Sequence, residues 1–133
     1  MRSRLLTALV LALLLGLCLS SGAQEKPTSL SDARNAVEAN LKTAQGRAYD
    51  AQIGKDFQQK YLGTLRECKK TIGSDLSSFW ILMKLDNGGV VKELLLSPTT
   101  KLGSCAREAL LKGKFSPPPH PAYWVSIYLQ LGH

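Results

Sequence analysis

Residues 79–96 constrain this chain most. Phe79, Ile81, Met83 and Leu85 recur at every second position, the period of a strand whose alternate side chains share one face. Asp86-Asn87-Gly88-Gly89 follows. Asn and Gly accept positive φ at little cost, so the tetrad reads as a tight hairpin turn. Residues 90–96 then resume a β-rich composition. Trp80 and Leu82 make the opposite face of the first strand unusually apolar for its outer half. Lys92 and Glu93 are adjacent, so neither alternation phase of the second strand is clean and a bulge is expected there. Pro98 has no N–H to give a ladder and should end the pairing.

A last strand is read over residues 123–131. Val125, Ile127, Leu129 and Leu131 share one face; Trp124, Ser126, Tyr128 and Gln130 share the other. Between the second and last strands, Leu102, Cys105, Ala106, Ala109 and Leu110 mark the apolar stripe of a short helix over 102–112. Phe115-Ser116-Pro117-Pro118-Pro119 breaks it off. The proline run is read as a stiff connector that fixes the last strand, with a polyproline ligand as the alternative.

Two helices should precede the sheet. The first begins near Ser29 or Ser31; Ser29-x-x-Asp32 has the spacing of a capping box and puts an acid in the first turn. It carries a thin apolar stripe of Leu30, Ala33, Val37, Leu41 and Ala44, and Gly46 is its expected stop. The second spans residues 55–72, with Ile53, Phe57, Tyr61, Leu65, Cys68 and Ile72 at steps of three or four and Gly73 as C-cap. Residues 49–54 are left as either turn or continuation. The expected class is α+β: a three-stranded antiparallel sheet with helices packed on one face.

The first 23 residues have the anatomy of a secretory signal. Arg2 and Arg4 form a charged start, residues 5–19 an apolar run, and Ser21-Gly22-Ala23 a small-residue cleavage site. The run is short for a membrane span, which needs roughly 20 residues. An uncleaved anchor and a lipid attachment at Cys18 are the alternatives. Cleavage leaves about 110 residues, room for one modest domain, and removing two arginines lowers the net charge from +7 to +5. The remaining basic residues are spread along the chain and mixed with acids. That is a solvated surface rather than the continuous basic stripe of a nucleic-acid binder; an anionic envelope surface or acidic partner is the alternative. The expected location is exported, periplasmic before extracellular. The expected organisation is a signal at 1–23, a tail and extra helix at 24–54, and the main domain at 55–133.

Export also makes the thiols interpretable. Cys68 and Cys105 are the two that remain, and an oxidising compartment favours their pairing. Each lies on the apolar stripe of its helix, so both sulfurs are expected to face one interior. Buried free thiols and a redox pair are the alternatives, the latter without the usual Cys-x-x-Cys spacing. Two Cys with the distant His120 and His133 make a poor metal set, so no metal or other cofactor is expected.

The string Phe79-Trp80-Ile81-Leu82-Met83-Lys84-Leu85-Asp86-Asn87-Gly88-Gly89-Val90, then Cys105-Ala106-Arg107-Glu108-Ala109-Leu110, then Phe115-Ser116-Pro117-Pro118 and a closing alternating strand resembles the C-terminal domains of TonB and TolA and their gliding-motility-associated relatives. The resemblance covers about residues 57–131. The pairing of Cys68 with Cys105 is similar to that of the gliding-motility group. The long proline-rich spacer of the energy-transducing members is not seen ahead of the shared region. The resemblance therefore implies a fold and a habit of binding proteins rather than force transmission. It implies a cell-envelope protein as partner, bound by strand addition at an edge formed by the last strand. Trp124, Ser126, Tyr128 and Gln130 are the candidate contacts. Ordinary packing of the two aromatics under the first helix is the competing reading. Self-association through the same edge is a further expectation.

Catalysis is not expected. His120 sits between prolines and His133 ends the chain, and no Gly-x-Ser-x-Gly, phosphate loop or paired-carboxylate motif is present. A secreted inhibitor or small-ligand carrier is the alternative function, a small hydrolase a more distant one.

Overall fold

The computed structural model describes residues 26–131. The export signal expected in residues 1–23 lies outside the described residues, as does His133. The first strand of the chain is the middle strand of the sheet. Phe79–Leu85 forms β1, flanked by two antiparallel neighbours, β2 (Val91–Ser97) and β3 (Tyr123–Leu129), in the order β2-β1-β3. Among the described residues, four helices complete the fold: α1 (Leu30–Leu41), α2 (Ala44–Lys60), α3 (Leu62–Ile72) and α4 (Lys101–Leu111). The α+β class with a three-stranded antiparallel sheet is therefore the observed one. The chain reaches β3 from β2 by crossing over through α4 rather than by a second hairpin.

The turn chemistry explains why β1 and β2 pair. The Asp86 carboxylate accepts from the backbone N–H of Gly88 and of Val90, both at 2.9 Å. Gly89 adopts φ +84°, and a Cβ there would also overlap the Phe115 carbonyl. Lys84 pairs with Glu93 but Leu85 pairs with Val91, so Lys92 is the extra residue of a bulge. The irregular Lys-Glu spacing is thus a real feature of the ladder.

One face of the sheet carries the main core. Phe79, Ile81, Met83 and Leu85 are fully buried there, against Ile53 and Phe57 of α2, Leu65 of α3, and Leu102, Ala106 and Leu110 of α4. Burying such side chains stabilises by about 1.5–3 kcal/mol each relative to exposure. The expectation that all helices share this face needs correction. α1 lies on the other face, where Ala33 and Val37 pack on Leu82 and Trp124. The reason is that Leu82 leaves an apolar surface on the far side of β1, and the thin stripe of α1 covers it.

The helix boundaries also differ from the expected ones. α1 starts at its expected cap, with the Ser29 hydroxyl accepting from Asp32 N–H at 3.1 Å. It ends earlier, and Gly46 lies in the first turn of α2 rather than stopping α1. Thr43 is the N-cap of α2, accepting from Gly46 N–H at 2.9 Å. A Cβ at Gly46 would overlap the Asn40 carbonyl, so glycine is what lets α2 start so close to the end of α1. α2 then runs through residues 49–54 and across the expected boundary at 54/55. Tyr49 and Ile53 belong to the same core as Phe57. The expected second helix is two helices, broken at Tyr61, which has φ −121°.

Cys68 and Cys105 are bonded, with Cα atoms 5.8 Å apart, and tie α3 to α4. Cys68 is buried, but Cys105 lies on an exposed part of α4, so the bridge sits at the rim of the core rather than inside it. The bridge spans 37 residues, which corresponds to about 4 kcal/mol in the chain-entropy account. Replacing both cysteines by serine is expected to lower the unfolding free energy by about that amount in urea titrations. An unchanged midpoint would contradict it.

Candidate functional site

The direction of each backbone group on β3 follows from the ladder. Asp86 donates its N–H to Val90 across the hairpin at 3.0 Å, so even-numbered residues of β1 point their backbone groups at β2. Odd-numbered residues must then point at β3. Their partners are Tyr123, Val125, Ile127 and Leu129. The even-numbered residues of β3, namely Trp124, Ser126 and Tyr128, consequently turn their N–H and C=O away from the sheet. A second observation agrees. The Trp124 carbonyl accepts a hydrogen bond from the Asn40 side chain of α1 at 3.0 Å, from outside the ladder. Among the described residues, the outward groups of Ser126 and Tyr128 have no hydrogen-bond partner.

The two sheet edges are treated differently. β2 carries the bulge, ends at Pro98, and is strapped at its start by residues 113–115. Val91 N–H donates to Gly113 at 3.2 Å and Phe115 N–H to Gly89 at 2.8 Å. These devices discourage pairing with another chain. β3, Tyr-Trp-Val-Ser-Ile-Tyr-Leu, has no charge, no proline and no bulge.

The segment before β3 is held by α2. The Asp56 carboxylate accepts from Ser116 N–H at 2.7 Å and from the Gln52 amide at 2.9 Å. The Tyr49 hydroxyl donates to the Ser116 carbonyl at 2.6 Å. Burial and the Asp56 charge push the Tyr49 phenol well above its usual range, so it remains a donor. The proline run leaves this clamp, and Ala122, at φ 54°, turns the chain into β3. Tyr123 packs edge-on against Tyr49 and His120.

Of the four residues expected to contact a partner, three are accessible and Trp124 is not. Tyr128 is 48% exposed and stacks on Trp80, itself 41% exposed, with ring centroids 4.8 Å apart. Ser126 is half-buried and Gln130 is exposed. Trp124 is only 6% exposed and packs under α1. Its ring is therefore part of the second core, because Ala33 and Val37 of α1 pack on Leu82 and Trp124. The Glu93 carboxylate holds the residue just before the N-cap of α1: it accepts from Thr28 N–H at 2.7 Å and the Thr28 hydroxyl at 3.0 Å, and pairs with Lys84 at 3.0 Å. Burial pushes the Glu93 carboxyl up, but these partners hold it below its usual range overall.

The packing of α1 leaves a groove between it and the sheet, the feature by which a small-ligand carrier would be recognised. Arg34, Val37, Glu38 and Leu41 of α1 face Trp80, Leu82 and Ser126 across a trough of about 330 Å³. Arg34 spans it, donating to the Ser97 hydroxyl at 2.8 Å. The signal for it is the apolar pair Trp80 and Leu82. A second hollow at the hairpin end is lined by Lys26, Lys84, Lys92, Asp86 and Glu93, whose charges largely pair with one another.

His120 is exposed, with Nδ1 2.9 Å from the Pro121 carbonyl. Among the described residues, no three His, Cys, Asp or Glu side chains gather as a metal set, and no helix is long and apolar enough to cross a membrane. Comparison of the chain with family models, curated proteins and solved structures gave no match.

The Asp56 clamp makes a pH prediction. Burial pushes this carboxyl up, but hydrogen bonds from Ser116 and Gln52 and the charge of Lys60 pull it lower still, to a net position below its ordinary 3.8. A depressed carboxyl contributes stability that is fully present above its unfolded value and is lost as pH falls through its folded one. Asp56→Asn is therefore expected to be less stable than wild type at pH 7, with the gap closing as pH falls below about 4. A gap in melting temperature that stays constant from pH 7 to pH 2 would contradict this.

Proposed function

We propose that this protein is an exported, non-enzymatic binding module that takes an extended peptide segment of a cell-envelope protein as an added strand on β3. One observation carries the reading: among the described residues, the outward N–H and C=O groups of Ser126 and Tyr128 have no partner, on a strand without charge, proline or bulge. An added strand satisfies those groups, and main-chain pairing supplies affinity while neighbouring side chains supply selectivity. The Trp80–Tyr128 pair offers an aromatic surface on the outer face, and Ile127 and Leu129 a half-buried apolar margin on the inner face. Asn40 occupies the Trp124 end and so limits pairing to Ser126 onward. The ligand is accordingly short, extended and largely apolar. The module would work in the manner of TonB C-terminal domains, in the periplasm of a bacterial cell. The Cys68–Cys105 bond suits an oxidising compartment.

The trough between α1 and the sheet favours a second reading, a carrier of a small apolar ligand. Val37, Leu41, Leu82 and Trp80 supply its apolar lining. In that case binding would depend on the floor of the trough and not on the backbone of β3.

Proline at position 126 separates the two. It removes an outward N–H while the ladder to β1, made by Val125 and Ile127, keeps its donors. Ser126→Pro is expected to weaken capture of extended peptides from a displayed library at least tenfold, with a circular dichroism spectrum like that of wild type. Equal capture by a folded Ser126→Pro protein would contradict strand addition.

A further inference from the structure

We infer that the trough between α1 and the sheet is a side-chain pocket for the added strand: it takes an aromatic ring carried by the peptide residue that lies opposite Ser126. Its use depends on strand addition at β3, the reading proposed above, and adds to that reading the chemistry of one peptide position. α1 builds one wall and precedes residues 57–131, the region of the family resemblance, so the pocket belongs to this chain's own extra helix.

The rows of the sheet give the trough its direction. Leu82 pairs with Ser126, and Trp80 with Tyr128 in the next row. Val37 and Leu41 of α1 stand on one side of the Leu82–Ser126 row. The stacked Trp80 and Tyr128 rings stand on the other. That row is therefore a floor running across the strands. At the β2 end Arg34 closes it, reaching from α1 to Ser97, the β2 partner of Trp80. At the other end the floor stops at Ser126, on the edge strand. The short serine side chain makes a low sill there.

An added strand continues this row. The residue directly opposite Ser126 carries its side chain on the same face as Ser126. Strands lie about 4.8 Å apart, so that residue is rooted about 5 Å beyond Ser126 and about 10 Å from Leu82. A methyl or isopropyl group stops above the sill. An aromatic ring leaning inward passes over it and meets the Leu82 side chain, since aromatic and long side chains span cross-strand separations of about 7–8 Å. The trough holds about 330 Å³, the lower end of the roughly 300–1,000 Å³ of small-molecule sites, a size suited to one ring. Val37, Leu41 and Leu82 make it apolar, and the Trp80 indole offers a partner for offset or edge-on stacking. Arg34 and Glu38 at the rim have opposite signs and give a charged tip no net attraction, so the apolar floor decides.

Selection of short peptides from a displayed random library tests the pocket. On the wild-type protein the enriched peptides are expected to share an aromatic residue at one position. Replacing that residue by alanine is expected to weaken binding at least about tenfold, the size of one anchor side chain. In NMR spectra the aromatic peptide is expected to move the Leu82 methyl signals upfield by its ring current, and the alanine version is not. Ser126→Leu raises the sill while keeping the backbone N–H, and is expected to abolish the preference for the aromatic version. Trp80→Ala, at an exposed wall position, is expected to reduce that preference in a protein whose circular dichroism matches wild type. Enriched peptides without an aromatic position, or equal affinity for the aromatic and alanine versions, overturn the inference. If those peptides still lose capture by Ser126→Pro, strand addition stands and the pocket alone falls. Decanoate that shifts the Leu82 methyls where the aromatic peptide does not assigns the trough to a free apolar ligand and overturns the inference as well.

Discussion

Burial of β1 on both faces is the constraint from which the rest of this structure follows. Phe79, Ile81, Met83 and Leu85 are inaccessible on one side, and Leu82 is on the other. A strand that is apolar on both sides cannot sit at the margin of a sheet with one face in water. It needs a neighbour on each edge and cover on each face. β2 and β3 supply the neighbours. α2, α3 and α4 supply the first cover, and α1 the second. The cover by α1 is partial, because a helix of 12 residues crossing the strands spans only part of their length. Trp80 and Tyr128 lie beyond it. The trough and the exposed aromatic pair are thus remainders of the same packing requirement, not separate inventions.

The edges follow from the same arrangement. With β1 in the middle, two edges exist, and among the described residues only that of β2 is defended along its length. The Lys92 bulge, Pro98 and the strap at residues 113–115 all act on β2. Since strand edges invite pairing unless blunted, the contrast gives β3 its functional weight. α2 adds to this by pinning Ser116 through Asp56 and Tyr49, so the proline run delivers β3 in a fixed position. The disulfide plays its part at a distance, holding α3 and α4 together under the inner face.

Much of this is legible in the residues. Alternation in 79–85 and 123–129, the Asp-Asn-Gly-Gly turn, the doubled polar pair Lys92-Glu93 and the cap at Ser29 each map onto what the backbone does, because each is a local rule; the alternation read on to residue 131 outlasts β3, which ends at Leu129. The placement of α1 is not legible in the same way, although Trp80 and Leu82 carry a signal for it. A period-two pattern says which residues share a face, but not which helix will cover it. Gly46 misleads for a related reason: glycine after a helix usually caps it, and here it serves a close approach that only the tertiary structure reveals. Trp124 resembles a contact residue because it shares its strand face with Tyr128. Which of the two α1 covers depends on where the helix crosses, and no strand pattern encodes that.

Amide hydrogen exchange along β3, resolved residue by residue in dilute protein, tests the central claim most directly. The account predicts alternation: slow exchange at Val125 and Ile127, whose N–H groups bond to β1, and fast exchange at Ser126 and Tyr128. Uniform protection from residue 125 to residue 128 in the monomer, or the opposite alternation, would contradict it.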